Sequence, residues 1–544
     1  MTQSMAAPTA VSEAEVAARA QEVVSCPANA FVARVRLADG VVDEAWSTGR
    51  MVRNMDVLLK GKLDAKGRPG FVHQAHCLCN DGHALAAIRA VEDLADVTVP
   101  QSAVLVRRLV QSLRCIQEHL LHFHQFHLAD WASLDRALRA DPARTAALAA
   151  RPGEDAAHFR ALKERLRGLA EARGDEKSNA RHDGAYRGAD ELHLLLYGHS
   201  LDALRVGRSL QAALALLDCG PKGFRAYRIG GLPEDLGLDA ANLDRLRAVL
   251  EDCREFLCTI FPADLVRLAR VYDSWSGLGA GGTLLTWDDV TGSGLVDPVE
   301  GGDAWALAEP NATVVREERE PDWQGVDRLR YRLFAARGEP SFRWSDGAYF
   351  WLPAPRHGET ACEVGPLARV MGGMLGGDHD LDQTLSDLLG DCGLTMAALN
   401  STLGRVLARG AESAALMRSL PGVLDELERT LLGGASRSVD FALPQSGVGM
   451  GRVEVPRGTL THTVRWGNGR ILNHDYLIPS LWNFSPRDTL GERGPLERAL
   501  LGTPVADPDR PLEILRTLHQ LDPCNACHVV VEDHDTGRIS LTTA

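Results

Sequence analysis

The feature that most constrains this chain is a cysteine pair near its carboxyl end, Cys524 and Cys527 in the segment LDPCNACHVV. A rigid Asp-Pro precedes the pair, and the spacing lets both thiolates turn toward one point and bind a soft metal. Two thiolates make only half a site. The other close cysteines, Cys77 and Cys79 in HQAHCLCNDGH, lie more than 400 residues upstream. We therefore predict that the fold brings these two segments together.

The spacing alone leaves the identity of the metal open. Structural zinc sites usually repeat C-x-x-C, whereas the upstream segment is C-x-C with His76 three residues before Cys79. A mixed site of thiolates and imidazole suits zinc, iron or nickel.

Composition narrows the class of protein. The 544 residues carry a net charge of -14, which argues against general nucleic-acid binding and against a basic membrane-binding surface. Eleven cysteines are too few, and odd in number, for a disulfide framework, so we expect a reducing compartment during folding. The N-terminus is Ala-rich and acidic, so we do not expect it to act as a secretory signal, and no apolar run in the sequence is long enough to predict a membrane span.

Periodicity predicts a mainly α fold with small β pieces (α+β), a helical core with peripheral hairpins. Residues 30–48 alternate around Asp39-Gly40 as a hairpin does, and residues 102–130 should form one long helix. Between residues 381 and 432 we expect two or three helices, broken at Gly410 and at Pro421-Gly422. Residues 1–25 are interpreted as an N-terminal extension and residues 26–544 as a single body. Further predicted elements are helices at 51–60, 84–93, 194–217, 243–260 and 511–520, with short strands in 275–355 and after 448.

From about residue 30 to the end, several segments resemble those of the large subunit of nickel-iron hydrogenases, and they occur in the same order as in that family. Because several motifs depart from the family pattern, the resemblance implies a divergent member. The segments are HALAAIRAVEDL (83–94), EHLLHFHQFHLADW (118–131), APRHGETACEVGPLARV (354–370), STLGRVLARGAE (401–412), VPRGTLTH (455–462), PSLWNFSPRD (479–488) and GTPVADPDRPLEILRTLHQLDPCNAC (502–527).

The resemblance implies a large helical body docked on a small subunit that carries iron-sulfur clusters. It implies a nickel-iron centre whose iron bears cyanide and carbon monoxide. The expected reaction is heterolytic cleavage or formation of H2, with electrons passed to the small subunit. Hydrogenase maturation proteins are further expected partners, whereas nucleic acid and a membrane span of its own are not expected. The location would be cytoplasmic, or membrane-associated or periplasmic through a partner subunit.

The resemblance also assigns roles to metal ligands. Cys524 matches a terminal nickel ligand, and Cys527 and Cys79 match the two bridging thiolates. The family motif R-x-C-G-x-C has its first cysteine where this chain has His76. The remaining nickel ligand is therefore His76, or Cys77 after a shift of the backbone, or the site is incomplete.

Other matched residues surround the expected centre. Arg457, after Pro456, matches an arginine over the open nickel position, and Asp522 matches its carboxylate partner. Glu118 stands where the family more often has an aspartate, which belongs to the same group of charged side chains over the nickel. Two more matches are His83, beside a bridging sulfur, and Ser480, a hydroxyl donor toward a cyanide ligand.

Two departures from the family pattern affect residues that, in the family, transfer protons or help to bind a second metal ion. Ala28 replaces a glutamate that passes protons from a bridging cysteine. Asp56 replaces a glutamate that helps to bind a Mg2+-type ion, and its side chain is one methylene shorter. Family precursors are cut after a histidine at the position of Val530, so we expect the following tail to stay attached.

Two functions of different classes remain open at this point. The first is a divergent but active hydrogenase. Arg457 and Asp522 favour it, because charged side chains over an open nickel position have little use without a substrate. The second is a catalytically impaired paralogue, acting as an assembly scaffold for the iron-cyanide-carbonyl unit or as a sensor or structural partner. Cys79 and Cys527, the two thiolates on the iron side, suit iron carriage without catalysis.

Overall fold

A computed structural model gives the fold of most of the chain. It describes residues 30–49, 80–173, 183–217, 226–288, 292–298, 305–308, 315–318, 354–357, 360–487, 491–524 and 526–543. The predicted helix at 51–60 and the expected ligands Asp56, His76, Cys77 and Cys79 lie outside the described residues.

Helices form most of the described structure. No helix in these described ranges is long and apolar enough to cross a lipid bilayer. The α-helices are α1 (Asn80–Leu94), α2 (Gln101–Leu120), α3 (Leu128–Trp131), α4 (Leu134–Arg139), α5 (Pro142–Ala149), α6 (Ala156–Arg173), α7 (Asp190–Leu216), α8 (Ala240–Glu255), α9 (Phe261–Val271), α10 (Pro366–Leu375), α11 (His379–Cys392), α12 (Thr402–Leu432), α13 (Pro479–Asn483), α14 (Pro495–Leu500) and α15 (Leu512–Gln520). Short π-helical pieces are Leu121–Phe126 and Phe256–Ile260, and 3-10 turns are Asp183–Ala185, Asp273–Gly277 and Met396–Leu399.

The strands form small sheets at the edges of this helical body, as the α+β prediction requires, and that prediction is confirmed. The sheet orders are β12-β11-β1-β2, β10-β9-β8, β3-β4-β5 and β6-β7. The strands are β1 (Ala30–Ala38), β2 (Val41–Gly49), β3 (Leu284–Asp288), β4 (Gly292–Pro298), β5 (Trp305–Ala308), β6 (Val315–Glu318), β7 (Ala354–His357), β8 (Ser446–Val455), β9 (Gly458–Gly467), β10 (Arg470–Leu477), β11 (Ala526–Asp533) and β12 (Arg538–Thr543).

The sheet β12-β11-β1-β2 joins the beginning and the end of the described chain. Strand β1 pairs in parallel with β11, so that Phe31 lies opposite Cys527. Strands β1 and β2 form the predicted hairpin, with Asp39 and Gly40 at φ 52° and 72° in its turn. Two positive φ angles in a two-residue turn match the twist of the strands, which is why Asp-Gly suits this position.

One large hydrophobic cluster packs the helices against the sheets. It includes side chains from Phe31 in β1 to Val531 in β11, and many of its members belong to α2 and α12. A separate small cluster, around Phe159 of α6 and Leu194 of α7, holds helices α4 to α6 on the outside of α7. The segment that carries the downstream cysteines is therefore anchored in the main core.

Two helix predictions have different outcomes. Residues 101–131 are helical as expected, although the π-helical piece Leu121–Phe126 interrupts the α-helical hydrogen bonds. The predicted breaks in α12 are wrong, because α12 runs through Gly410 and Pro421 without interruption over 31 residues. A Cβ atom at Gly410 would overlap the Leu265 side chain of α9, so this glycine allows two helices to approach rather than ending one.

Candidate active site

Arg457 lies in the tight turn between β8 and β9, and its side chain is buried. Gly458 follows it with φ 127°, and a Cβ atom there would lie 2.6 Å from Val364 Cγ2. Glycine is therefore required for the turn that directs Arg457 inward. Pro456 precedes the arginine, and its carbonyl oxygen accepts a hydrogen bond from Arg369 Nη2 at 3.0 Å.

Two carboxylates flank the Arg457 guanidinium. Its Nε lies 3.1 Å from Asp522 Oδ1, and its Nη1 lies 3.3 Å from Glu118 Oε2. A second arginine, Arg409, places Nη2 3.8 Å from Asp522 Oδ2. Asp522 therefore lies between two cations, and we call Arg457, Asp522 and Glu118 the canopy. The sequence predicted all three of its members.

Glu118 and Asp522 differ in their electrostatic surroundings. Burial raises the pKa of Glu118, and the negative charge of Asp522 raises it further, whereas Arg457 opposes both effects. A carboxyl group with a raised pKa next to a cation can exchange a proton near neutral pH more readily than an ordinary glutamate. Within the canopy, Glu118 is the better candidate for proton transfer.

The downstream cysteines lie where α15 ends and β11 begins. The Cys524 backbone N–H donates to Ser480 Oγ at 3.2 Å, which ties the cysteine loop to α13. Cys527 is buried in β11, and its pKa is raised well above the usual value by burial and by the nearby Cys524. Cys524 is partly exposed, and a metal cation bound by both cysteines would stabilise them as thiolates. The donor set therefore fits a thiolate-bound metal centre.

A small cavity of about 30 Å³ lies between two members of the canopy, Glu118 and Arg457, and the start of α1. Its lining includes Glu118, Pro456 and Arg457 together with Asn80, Asp81 and Arg114. Asn80 directly follows Cys79 in the sequence. The start of α1 therefore borders the same space as the canopy, although ligation by Cys79, His76 or Cys77 stays a prediction.

A buried ion network binds the backbone that precedes Arg457. Arg369 donates to the carbonyl oxygens of Val455 and Pro456, and its Nε lies 2.6 Å from Glu412 Oε1. His119 Nε2 lies 2.6 Å from the other oxygen of Glu412. Burial alone would raise the pKa of Glu412, but Arg369 and His119 hold it well below its usual range. This network fixes the backbone before Arg457, and sequence reasoning did not pair its members.

His83 lies on α1, and its Nδ1 is 2.9 Å from Nε2 of His462 on β9. Sequence reasoning did not identify His462, which a hydrogen bond in turn connects to His474 on β10. The available signal was the spacing of these two histidines on neighbouring strands of one hairpin. That signal is weak because alternation predicts which face a side chain occupies but not its partner.

The chain is similar to known proteins over most of its length. The family model for nickel-dependent hydrogenases matches residues 53–530. The uptake hydrogenase large subunit of Rhodobacter capsulatus is 30% identical over 542 residues, covering 90% of each chain. The hydrogenase-2 large chain of Escherichia coli (strain K12) is 28% identical over 543 residues, covering 92% of this chain and 95% of the relative.

The fold is that of a solved Ni-Fe-Se hydrogenase from D. vulgaris Hildenborough, with a TM-score of 0.69 at 23% identity. That alignment covers 91% of this chain and 98% of the solved one. The match to the family model and the 30% identity to the Rhodobacter capsulatus subunit show that the chain belongs to the nickel-dependent hydrogenase family. It is a hydrogenase large subunit, an oxidoreductase that acts on H2, and the family implies a nickel-iron centre.

Proposed function

We propose that this chain cleaves and forms H2 at a nickel-iron centre held by Cys79, Cys524, Cys527 and one residue of the pair His76 and Cys77. The observation that carries the proposal is the canopy. A buried arginine between two carboxylates lies beside the cavity bordered by Asn80, and Asp522 is two residues before Cys524. Fixed charges and a carboxyl group with a raised pKa are what heterolytic cleavage of H2 beside a metal would need, and this supports the proposal.

The proposed cofactor carries cyanide and carbon monoxide on its iron. When bound, the centre supplies an open metal position at which H2 is polarised and split heterolytically. Ser480 accepts the Cys524 N–H, so its own hydroxyl hydrogen can point to a cyanide nitrogen. We also propose that Asp56 contributes to a Mg2+-type site.

The chain itself supplies positioning, charge and proton transfer. Arg457 holds a fixed positive charge in a buried site, where charges interact more strongly than in water. Asp522 fixes the orientation of that guanidinium, and Arg409 keeps Asp522 in place. Glu118, with its raised pKa, accepts a proton at its carboxylate and passes it toward the cavity lined by Arg114 and Asp81. This path would take over from the glutamate that Ala28 replaces.

The proposed partners follow from the same reaction. Electrons leave through an iron-sulfur small subunit, and maturation proteins insert the metals. The relatives described above are named as hydrogenase subunits, which favours the enzyme over the assembly scaffold.

Metal analysis and an infrared spectrum of protein purified from its own host test the proposal. Nickel and iron in equal amounts, with cyanide and carbon monoxide bands, are expected. Iron with those bands but without nickel would instead indicate the scaffold, and absence of both metals would overturn both functions.

A variant identifies the fourth nickel ligand. If His76 is a ligand, His76→Ala lowers the nickel content about tenfold or more while the protein stays folded. His73→Ala, a histidine three residues earlier in the same segment, is the matched control and should keep its nickel. Unchanged nickel in His76→Ala would point to Cys77.

A further inference from the structure

Asn483, the last residue of α13, joins two distant backbone segments through three hydrogen bonds. The side chain is buried, with 2% exposure. Its Oδ1 accepts the Val364 N–H at 2.9 Å, and its Nδ2 donates to the carbonyl oxygens of Val364 at 3.0 Å and of Leu521 at 3.1 Å. Exchanging the amide nitrogen and oxygen would bring two carbonyl oxygens against a third oxygen. The three partners therefore fix the orientation of the amide.

The two segments that this amide joins adjoin the two residues of one canopy ion pair. Leu521 directly precedes Asp522 in the sequence. Val364 contacts the turn of Arg457, because a Cβ atom placed on Gly458 would lie 2.6 Å from Val364 Cγ2. The amide thus connects the backbone beside the carboxylate with the backbone beside the guanidinium.

The backbone of Asp522 is in a conformation that needs support. Its φ is 53°, in the left-handed region that residues other than glycine rarely adopt. Pro523 follows, and a proline favours extended backbone at the residue before it. The Asp522 N–H donates to the carbonyl oxygen of His519 at 2.9 Å, which completes a tight turn at the end of α15. Bonds on either side of this turn oppose its relaxation to an extended form.

Helix α13 supplies a bond on each side of that turn. Ser480 and Asn483 are three residues apart, so their side chains lie on one face of the helix. Ser480 Oγ accepts the Cys524 N–H at 3.2 Å, and Asn483 donates to the Leu521 carbonyl oxygen at 3.1 Å. Leu521 and Cys524 flank Asp522-Pro523, so one short helix holds both ends of the turn.

We propose that Asn483 is a positioning residue, which sets the geometry of the Arg457–Asp522 ion pair by fixing their two backbone segments against each other. A residue that only filled space would not need an amide at this place, since burying a polar group costs free energy unless it finds partners. The effect on H2 turnover rests on the proposed function, whereas the effect on the backbone does not.

One substitution removes the donor and keeps the shape. Asn483→Asp retains an oxygen that can accept the Val364 N–H, but it lacks the amide hydrogens that Val364 and Leu521 accept. The matched control is Asn242→Asp. Asn242 is partly buried on α8, and its Nδ2 donates to the Gly237 carbonyl oxygen at 3.0 Å, so the control loses the same kind of bond away from the canopy.

Amide hydrogen exchange is the main measurement, and it requires no metal. The amides of Asp522 and Cys524 should exchange about tenfold or more faster in Asn483→Asp than in the wild-type protein. The amide of Val529, buried in β11, should keep its rate and serves as the internal reference. Asn242→Asp should leave all three rates unchanged. Unchanged rates at Asp522 and Cys524 in Asn483→Asp would overturn the inference.

The wild-type protein gives a result even if Asn483→Asp does not fold. A held turn predicts that the amides of Asp522 and Cys524 exchange far more slowly than those of an unstructured peptide of the same sequence. Exchange at the rate of the unstructured peptide would overturn the inference.

H2 turnover in two backgrounds separates positioning from general stability. Asn483→Asp should lower turnover about tenfold with nickel and iron contents unchanged, because the ion pair loses its geometry. In an Asp522→Asn background, where the ion pair is already absent, it should cause no further loss. Equal losses in both backgrounds would overturn the inference while the proposed function stands. Absence of turnover in the wild-type protein would count against the proposed function, and hydrogen exchange would still decide the inference.

Discussion

Arg457 contacts two carboxylates at once, through Nε and Nη1, and a lysine has no second nitrogen with which to do so. We therefore expect Arg457→Lys to keep the positive charge but lose its orientation. H2 turnover should fall about 100-fold, comparable to the loss of one fixed donor in other active sites. Nickel and iron contents should not change. Loss of metal together with activity would show that Arg457 acts in assembly instead.

His199 forms a buried ion triad with Asp264 and Glu154 that should determine part of the pH dependence of stability. Its Nδ1 is 2.6 Å from Asp264, and its Nε2 is 3.3 Å from Glu154. Burial alone would lower the pKa of His199, but the two carboxylates raise it to about 10. Burial would raise the pKa of Glu154, but His199 and Arg151 lower it to about 2.

The full contribution of the triad to the free energy of unfolding is present between pH 4.5 and pH 6.5. These limits are the ordinary pKa values of the glutamate and the histidine, which we take for the unfolded chain. The histidine contribution is lost as pH rises toward about 10, and the glutamate contribution is lost as pH falls toward about 2. We expect His199→Gln to lower the free energy of unfolding by about 3 kcal/mol at pH 6. The variant should also show a flatter decline between pH 6.5 and 10. Urea unfolding across pH measures both, with exposed His158→Gln as the control.

At the scale of single residues, the sequence allowed prediction of the canopy but not of what supports it. Arg457, Asp522 and Glu118 each lie in a segment whose pattern resembles a known family. The supporting pair Arg369 and Glu412 is separated by 43 residues and meets only because α10 packs on α12. Such pairs depend on tertiary packing, which local patterns do not encode.

At the scale of elements, glycines on β8 determine how closely the sheet approaches α1. A Cβ atom at Gly451 would overlap the carbonyl oxygen of Ala86, and one at Gly449 would overlap that of Ala90. The strand can therefore lie directly on the backbone of the helix that follows the upstream metal motif. We expect Gly451→Ala to destabilise the protein by about 1–3 kcal/mol because the two elements must separate. Chemical denaturation measures this loss.

The control is a glycine with free space around it. Gly168, within α6, has no atom within 4 Å of a Cβ placed there, so Gly168→Ala should stabilise by about 1 kcal/mol through helix propensity. Equal effects of the two substitutions would mean that the close approach of β8 to α1 is unimportant for stability.

Close packing at a glycine also explains why the predicted break in α12 was wrong. Gly410 matched a helix break in sequence, yet packing against Leu265 is what requires it.

At the scale of the whole molecule, the parallel pairing of β1 with β11 closes the fold. These strands are almost 500 residues apart, and Cys527 lies within the second of them. The chemistry of the cysteines predicted that distant segments meet, but the partner found here, β1, has no metal-binding residue opposite Cys527. Alternating apolar residues predict a strand and which of its faces is buried, but they do not predict which strand pairs with it. The pairing of β1 with β11 therefore could not be predicted from local sequence patterns.

The tail after Val530 completes that sheet, and we expect it to remain in the mature protein. Val530 and Val531 are both 1% exposed, and they lie in β11 between β1 and β12. A protease needs an accessible, unpaired segment, which the folded chain does not offer here. Trypsin digestion of metal-loaded protein should therefore yield the intact peptide 517–538, which spans this bond. A peptide that ends at Val530 would show that the tail is removed.

Truncation shows whether the retained tail has a structural role. A chain ending at Asp533 lacks β12, whose Ser540 Oγ donates to Asp509 at 2.6 Å and whose backbone pairs with β11. With each lost hydrogen bond contributing about 1 kcal/mol, the free energy of unfolding should fall by about 3 kcal/mol or more. Arg538→Gln, which removes only an exposed ion pair with Asp509, should cost less than about 1 kcal/mol. If truncation costs no more than this control, β12 is dispensable, and β11 keeps Cys527 in place through β1 alone.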